Sequence, residues 1–135
     1  MKDLQIDKNS IILDGLNDLS QDFNNLLTLK DSVTYRNCKN LNVKINSSIN
    51  KLIIKNSNNF NITVDKMVSG IEILNCKNIN LITTDKKPIY HLYIENSDDI
   101  EILIGKKQFN NTKIDIIDSD NLIFLDYNKE KILKV

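Results

Sequence analysis

The chain has no tryptophan, one proline, three glycines, two cysteines and a single histidine among its 135 residues, and each scarcity closes off a class of answers. Two cysteines and one histidine do not fill the positions of a zinc-type centre. Neither a Walker-type nor a dinucleotide-binding glycine motif is present, so no phosphate-cradling loop is offered to a nucleotide and no cofactor is expected. Eighteen basic side chains cancel eighteen acidic ones, which leaves no overall field to favour nucleic acid or an anionic membrane. No apolar run approaches the ~20 residues that span a bilayer, and "MKDLQIDKNS" at the amino end lacks a basic segment followed by an apolar one. A soluble, cytoplasmic protein of one domain, residues 1–135, is the expectation. The Asn-x-Ser/Thr triplets at Asn46, Asn61 and Asn110 read as by-products of an asparagine-rich composition.

What the chain does have is a phrase said five times: "VTYRNCKNLNV", "KLIIKNSNNFNI", "GIEILNCKNINL", "HLYIENSDDIEI" and "KIDIIDSDNLIF". Aligned on the small central residue, Cys38, Ser57, Cys76, Ser97 and Ser119 fall in one column at steps of 19, 19, 21 and 22 residues. A period near twenty marks stacked rungs. Asn37, Asn56, Asn75, Asn96 and Asp118 precede the column, and Asn40, Asn59, Asn78, Asp99 and Asn121 stand two places after it. Asn and Asp tolerate left-handed backbone angles, so they turn the chain where glycine is missing.

Apolar residues alternate on both sides of that corner. Val33/Tyr35, Leu52/Ile54, Ile71/Ile73, Leu92/Ile94 and Ile114/Ile116 lie before it; Leu41/Val43, Phe60/Ile62, Ile79/Leu81, Ile100/Ile102 and Leu122/Phe124 lie after it. A period of two makes both segments strands with one inward face. A lone rung has nothing to cover that face, whereas stacked rungs make a continuous apolar column. The fold class is therefore all-β, a parallel β-helix of about six short rungs, with a β-sandwich as the competing architecture. A leucine-rich repeat is disfavoured because the second segment shows no helical spacing. Residues 1–31 fit the repeat poorly and read as an amino-terminal capping rung, residues 32–126 as repeat rungs, and residues 127–135 as a carboxy-terminal strand. Cys38 and Cys76 sit two rungs apart, roughly 9 to 10 Å, beyond disulfide reach, and are expected as free, buried thiols.

No catalytic constellation emerges, and the chain reads as a binding protein and not an enzyme. His91 has no nucleophile and orienting group that sequence can assign to it, and reads as a surface histidine beside Leu92. Asp98, Asp99, Asp115, Asp118 and Asp120 are explained as corner residues more simply than as calcium ligands. The outward alternates before the corner are Thr34, Ile53, Glu72, Tyr93 and Asp115 in one ladder and Arg36, Lys55, Leu74, Glu95 and Ile117 in the next. That mixture of charge, aromatic and aliphatic groups on a flat sheet suits a protein partner. The outward ladder after the corner, Asn42, Asn61, Asn80 and Glu101, is a polar strip with less to offer.

The stretch from Val33 to Leu125, most closely "INKLIIKNS" and "VSGIEILNCKNINLITTDKKPIYHL", resembles the carboxy-terminal β-helical domain of cyclase-associated proteins. Asn50, Asn56, Glu72, Ile73, Asn75, Lys77 and Pro88 fall on matching positions. The resemblance implies a right-handed β-helix in a short, stand-alone form. It also implies binding of monomeric actin in its ADP-loaded state, faster exchange of that nucleotide or sequestration of the monomer, and a homodimer joined by exchanged carboxy-terminal strands. Candidate actin contacts are Lys55, Asn56, Glu72, Asn75, Lys77, Tyr93 and Glu95. Candidate dimer contacts, chosen because outward positions turn apolar towards the carboxy end, are Leu103, Ile123, Leu125, Tyr127, Ile132, Leu133 and Val135. The alternatives are a tubulin-cofactor C-like activator of GTP hydrolysis, for which the only arginine is Arg36, and a plain scaffold solenoid.

Overall fold

A computed structural model of the chain describes residues 3–7, 9–23, 27–84 and 89–135. It opens with strand β1 (Asp3–Asp7) and then repeats one unit, a strand, a tight corner and a second strand. The first rung is β2 (Ser10–Asp14) with β3 (Asn17–Phe23), the second β4 (Ser32–Arg36) with β5 (Lys39–Ile45), and the third β6 (Ile49–Lys55) with β7 (Asn58–Val64). The fourth is β8 (Met67–Leu74) with β9 (Lys77–Thr83), and the fifth β10 (His91–Glu95) with β11 (Asp98–Leu103). A short helix α1 (Lys106–Asn110) leads to the sixth, β12 (Lys113–Ile117) with β13 (Asp120–Leu125), and β14 (Lys131–Lys134) closes the chain. The first strands of all rungs line up in parallel in one sheet and the second strands in another, making the parallel β-helix that the alternation requires. At each end one strand runs the other way: β1 pairs antiparallel with β2, and β14 with β13.

The corners follow from asparagine. Asn37, Asn40, Asn56, Asn59, Asn75, Asn78, Asn96, Asp99, Asp118 and Asn121 all have φ between 48° and 60°, a region that disfavours most side chains by roughly 1–2 kcal/mol. Between each pair sits the small anchor, which points inward and satisfies the backbone. Ser57 Oγ donates to the Lys55 carbonyl at 2.9 Å and accepts the Cys38 N–H at 3.1 Å. Ser97 repeats the pattern with Glu95 and Cys76. Cys38 and Cys76 are buried and free, and Cys76 Sγ donates to the carbonyls of Ile54 and Leu74. Burial pushes the Cys76 thiol up to about 11 and raises Cys38 as well. Inside, Tyr35 meets Phe60 edge-on at 5.0 Å. Its hydroxyl donates to Gln21 Oε1 at 2.7 Å, so the one buried phenol is paired, and burial raises it far above its ordinary value.

Three features depart from the expectation. The segment before residue 32 contains a complete rung, because Gly15 (φ 71°), Leu16 and Asp18 (φ 55°) occupy the places of Asn37, Cys38 and Asn40. Helix α1 fills the interval between Ser97 and Ser119, burying Gln108 and setting Phe109 5.3 Å from Phe124. Ile114 and Ile116 are only half-buried, since among the described residues β12 ends its sheet with no strand beyond it. The matched position Pro88 lies outside the described residues.

Candidate protein-docking face

The outer surface of the sheet β4-β6-β8-β10-β12 carries the side chains that alternate away from the core. Register sets Thr34, Ile53, Glu72, Tyr93 and Asp115 side by side, and Arg36, Lys55, Leu74, Glu95 and Ile117 beside them. Five of the seven candidate contacts are therefore brought together by pairing and one corner: Glu72 next to Tyr93, Lys55 in the row of Glu95, and Asn56 at the end of β6. Asn75 holds the same corner position on the next rung, at the end of β8, and Lys77 opens β9 on the other side of that corner. Lys55, Glu72, Tyr93 and Glu95 are half-buried; Asn56, Asn75 and Lys77 are exposed.

Polar contacts tie this face together. Lys51 pairs with Glu72 across β6 and β8. The Tyr93 hydroxyl donates to Glu95 Oε1 along β10, and that bond to a carboxylate raises the phenol above its ordinary value. His91 Nε2 lies 2.7 Å from Asp115 Oδ2 on the neighbouring strand, with its ring 6.0 Å from that of Tyr93. Sequence reasoning missed this pair. Asp115 is a strand residue of β12 and not a corner residue, and only the register His91↔Lys113 shows that it reaches His91. Period-two counting from Lys113 was the signal available. No cluster of three or more His, Cys, Asp or Glu suited to a metal exists among the described residues. The only arginine, Arg36, donates through Nε to Asp14 at 2.9 Å, which holds it against the first rung.

The opposite face is repetitive. Asn80 donates to Asn61 at 2.8 Å, one rung to the next, and at the corner Asn78 donates to Asn59, Asn59 to Asn40 and Asn40 to Asp18.

At the carboxy end the candidate dimer residues divide. Leu103, Ile123, Leu125 and Ile132 are half-buried, while Tyr127, Leu133 and Val135 are exposed. In the single chain β14 lies on its own β13, with Phe124 opposite Leu133. Asp126 holds the turn by accepting the N–H groups of Asn128 and Glu130. Tyr127 reaches back to Thr83 and Gln108 at 3.3 Å each.

No curated protein sequence matches the chain. In fold it is similar to the crystal structure of cyclase-associated protein from Cryptosporidium parvum, with a TM-score of 0.81 and 18% identity over 98% of this chain and 80% of that one. The model of the family "Adenylate cyclase associated (CAP) C terminal" matches residues 19–124, a span that takes in the corners of the second to sixth rungs, and the chain belongs to that family.

Proposed function

We propose that the protein binds monomeric actin through the face built on β6, β8 and β10, prefers the ADP-loaded monomer and speeds release of its nucleotide. Family membership over residues 19–124 carries this reading. The mixed face around Tyr93 supports it, because an aromatic flanked by paired charges is the composition of an energetic contact. The chain supplies no chemistry to the nucleotide. A partner that binds a nucleotide-loosened form of actin more tightly than the closed form must, by linkage, weaken the nucleotide's hold. A homodimer belongs to the same proposal. The register that β14 makes with its own β13 is available unchanged to the β14 of a second copy, so an exchange of tails conserves every ladder bond. Such a dimer carries two actin sites, and its place of work is the cytoplasm.

Release of a fluorescent ATP analogue from actin tests the reading. Faster release with the protein present is expected. Slower release means sequestration, and an unchanged rate with no binding overturns it. Light scattering at about ten micromolar reads the mass, on the order of twice the chain for the dimer.

A further inference from the structure

From the second rung to the sixth, the corner ridge changes sign along the axis. On the second to fourth rungs it bears Lys39, Lys55 and Lys77, none of which makes an ion pair or side-chain hydrogen bond among the described residues. On the fifth and sixth it bears Asp99, Asp118 and Asp120, equally unpaired among the described residues. Register puts Lys39, Asn58, Lys77, Asp98 and Asp120 in one row. Rung spacing separates Lys39 from Lys77 by roughly 9 to 10 Å, with Asn58 between them. Lys39, Asn58, Asn59, Lys77, Asn78 and Asp99 line a shallow trough of about 440 Å³.

The amide ladder breaks at the same place. Asn40, Asn59 and Asn78 all donate towards Asp18, and the next member of the column is Asp99, whose carboxylate has no proton to give to Asn78. The Asn58 amide, with no side-chain hydrogen bond among the described residues, faces the trough between two ammonium groups. Two cations and a spare amide donor fit a carboxylate side chain.

We infer that this ridge docks a protein surface of opposite polarity, with carboxylates over Lys39, Asn58 and Lys77 and cations over Asp99, Asp118 and Asp120, so that charge fixes which way the partner lies along the axis. The inference rests on the actin reading for its partner and adds the orientation. Opposed charges that meet in register contribute to affinity and encounter rate, and like charges in the reversed orientation oppose it.

Two triple variants test it with monomeric actin as the probe at about 50 mM salt, where screening is modest. Lys39→Glu/Lys55→Glu/Lys77→Glu should weaken binding about tenfold or more, and Asp99→Lys/Asp118→Lys/Asp120→Lys should weaken it too, both with unchanged melting. Tighter or unchanged binding by the aspartate variant would mean that net charge alone matters, and overturns the polarity. Normal binding by both overturns the ridge and leaves the actin reading standing. If the wild-type protein ignores actin, the actin reading falls instead. A labelled hexaglutamate peptide then decides the ridge: binding that the lysine variant loses supports it, and no binding overturns it.

Discussion

The two outer faces of this β-helix are built on the same backbone and differ in every other respect. Beyond the corner, Asn61 and Asn80 repeat one residue and bond to each other, and Asn40, Asn59 and Asn78 repeat one residue and one bond from rung to rung. Before the corner, Lys51–Glu72, Tyr93–Glu95 and His91–Asp115 are three different contacts spread over four neighbouring strands. A repeated ladder needs only a residue that stacks on itself, so it serves the solenoid. A face whose residues change at each rung is held by particular pairs and not by a ladder, and it is the face proposed here for a partner.

The largest effect removes both faces together. Ile73 is fully buried in the fourth rung, and Ile73→Asp should cost several kcal/mol by burying an unpaired carboxylate; circular dichroism should show the β signal lost at room temperature. A soluble variant with unchanged melting would mean that the inward row is misassigned.

The next effect belongs to the wall between the faces. Cys76 keeps its proton up to about 11 in the folded chain against an ordinary value of 9.0. Its contribution is therefore intact below pH 9, and stability falls as pH rises from 9 towards 11, by about 2–3 kcal/mol at most. Urea midpoints at pH 8 and pH 10.5 read the drop. Cys76→Ser, which places at this rung the residue that Ser57 and Ser97 already use, should show a smaller one.

At the corner, Asn78→Ala loses a residue suited to φ 60° and the bond to Asn59, and should cost about 1 kcal/mol in thermal unfolding, with Asn78→Gly closer to wild type. Smallest of all, Asn61→Ala on the repetitive face should change stability by no more than about 0.5 kcal/mol.

The rungs were legible because the corner is a physical necessity: without glycine, Asn at −1 and +2 from a small anchor is the way to make two left-handed turns. Where that vocabulary changes, reading from sequence fails. Gly15 and Leu16 make the same corner as Asn37 and Cys38, yet Leu16 in the anchor column is not small, so the sequence alone reads this rung only as a cap that fits the repeat poorly. The connections at the far side of each rung vary in length, and α1 formed there under Phe124 with no periodic signal in "GKKQFNN" to announce it. Gly70 shows a further limit. A Cβ there would stand 2.1 Å from the His91 carbonyl oxygen, a close approach between neighbouring strands that is invisible until they are paired. On the candidate docking face, alternation places each side chain outward, but which side chains bond to which depends on cross-strand register, so the Lys51–Glu72 and His91–Asp115 pairs come only with the structure.

The most direct measurement compares the two faces in one assay: affinity for ADP-actin of the wild-type protein, Tyr93→Ala and Asn61→Ala, each with its melting temperature. Tyr93→Ala should bind about tenfold or more weakly at unchanged melting, as an aromatic at the centre of a contact does, and Asn61→Ala should bind as wild type. Equal affinity for all three, or loss at Asn61 alone, would contradict the assignment of the varied face to the partner.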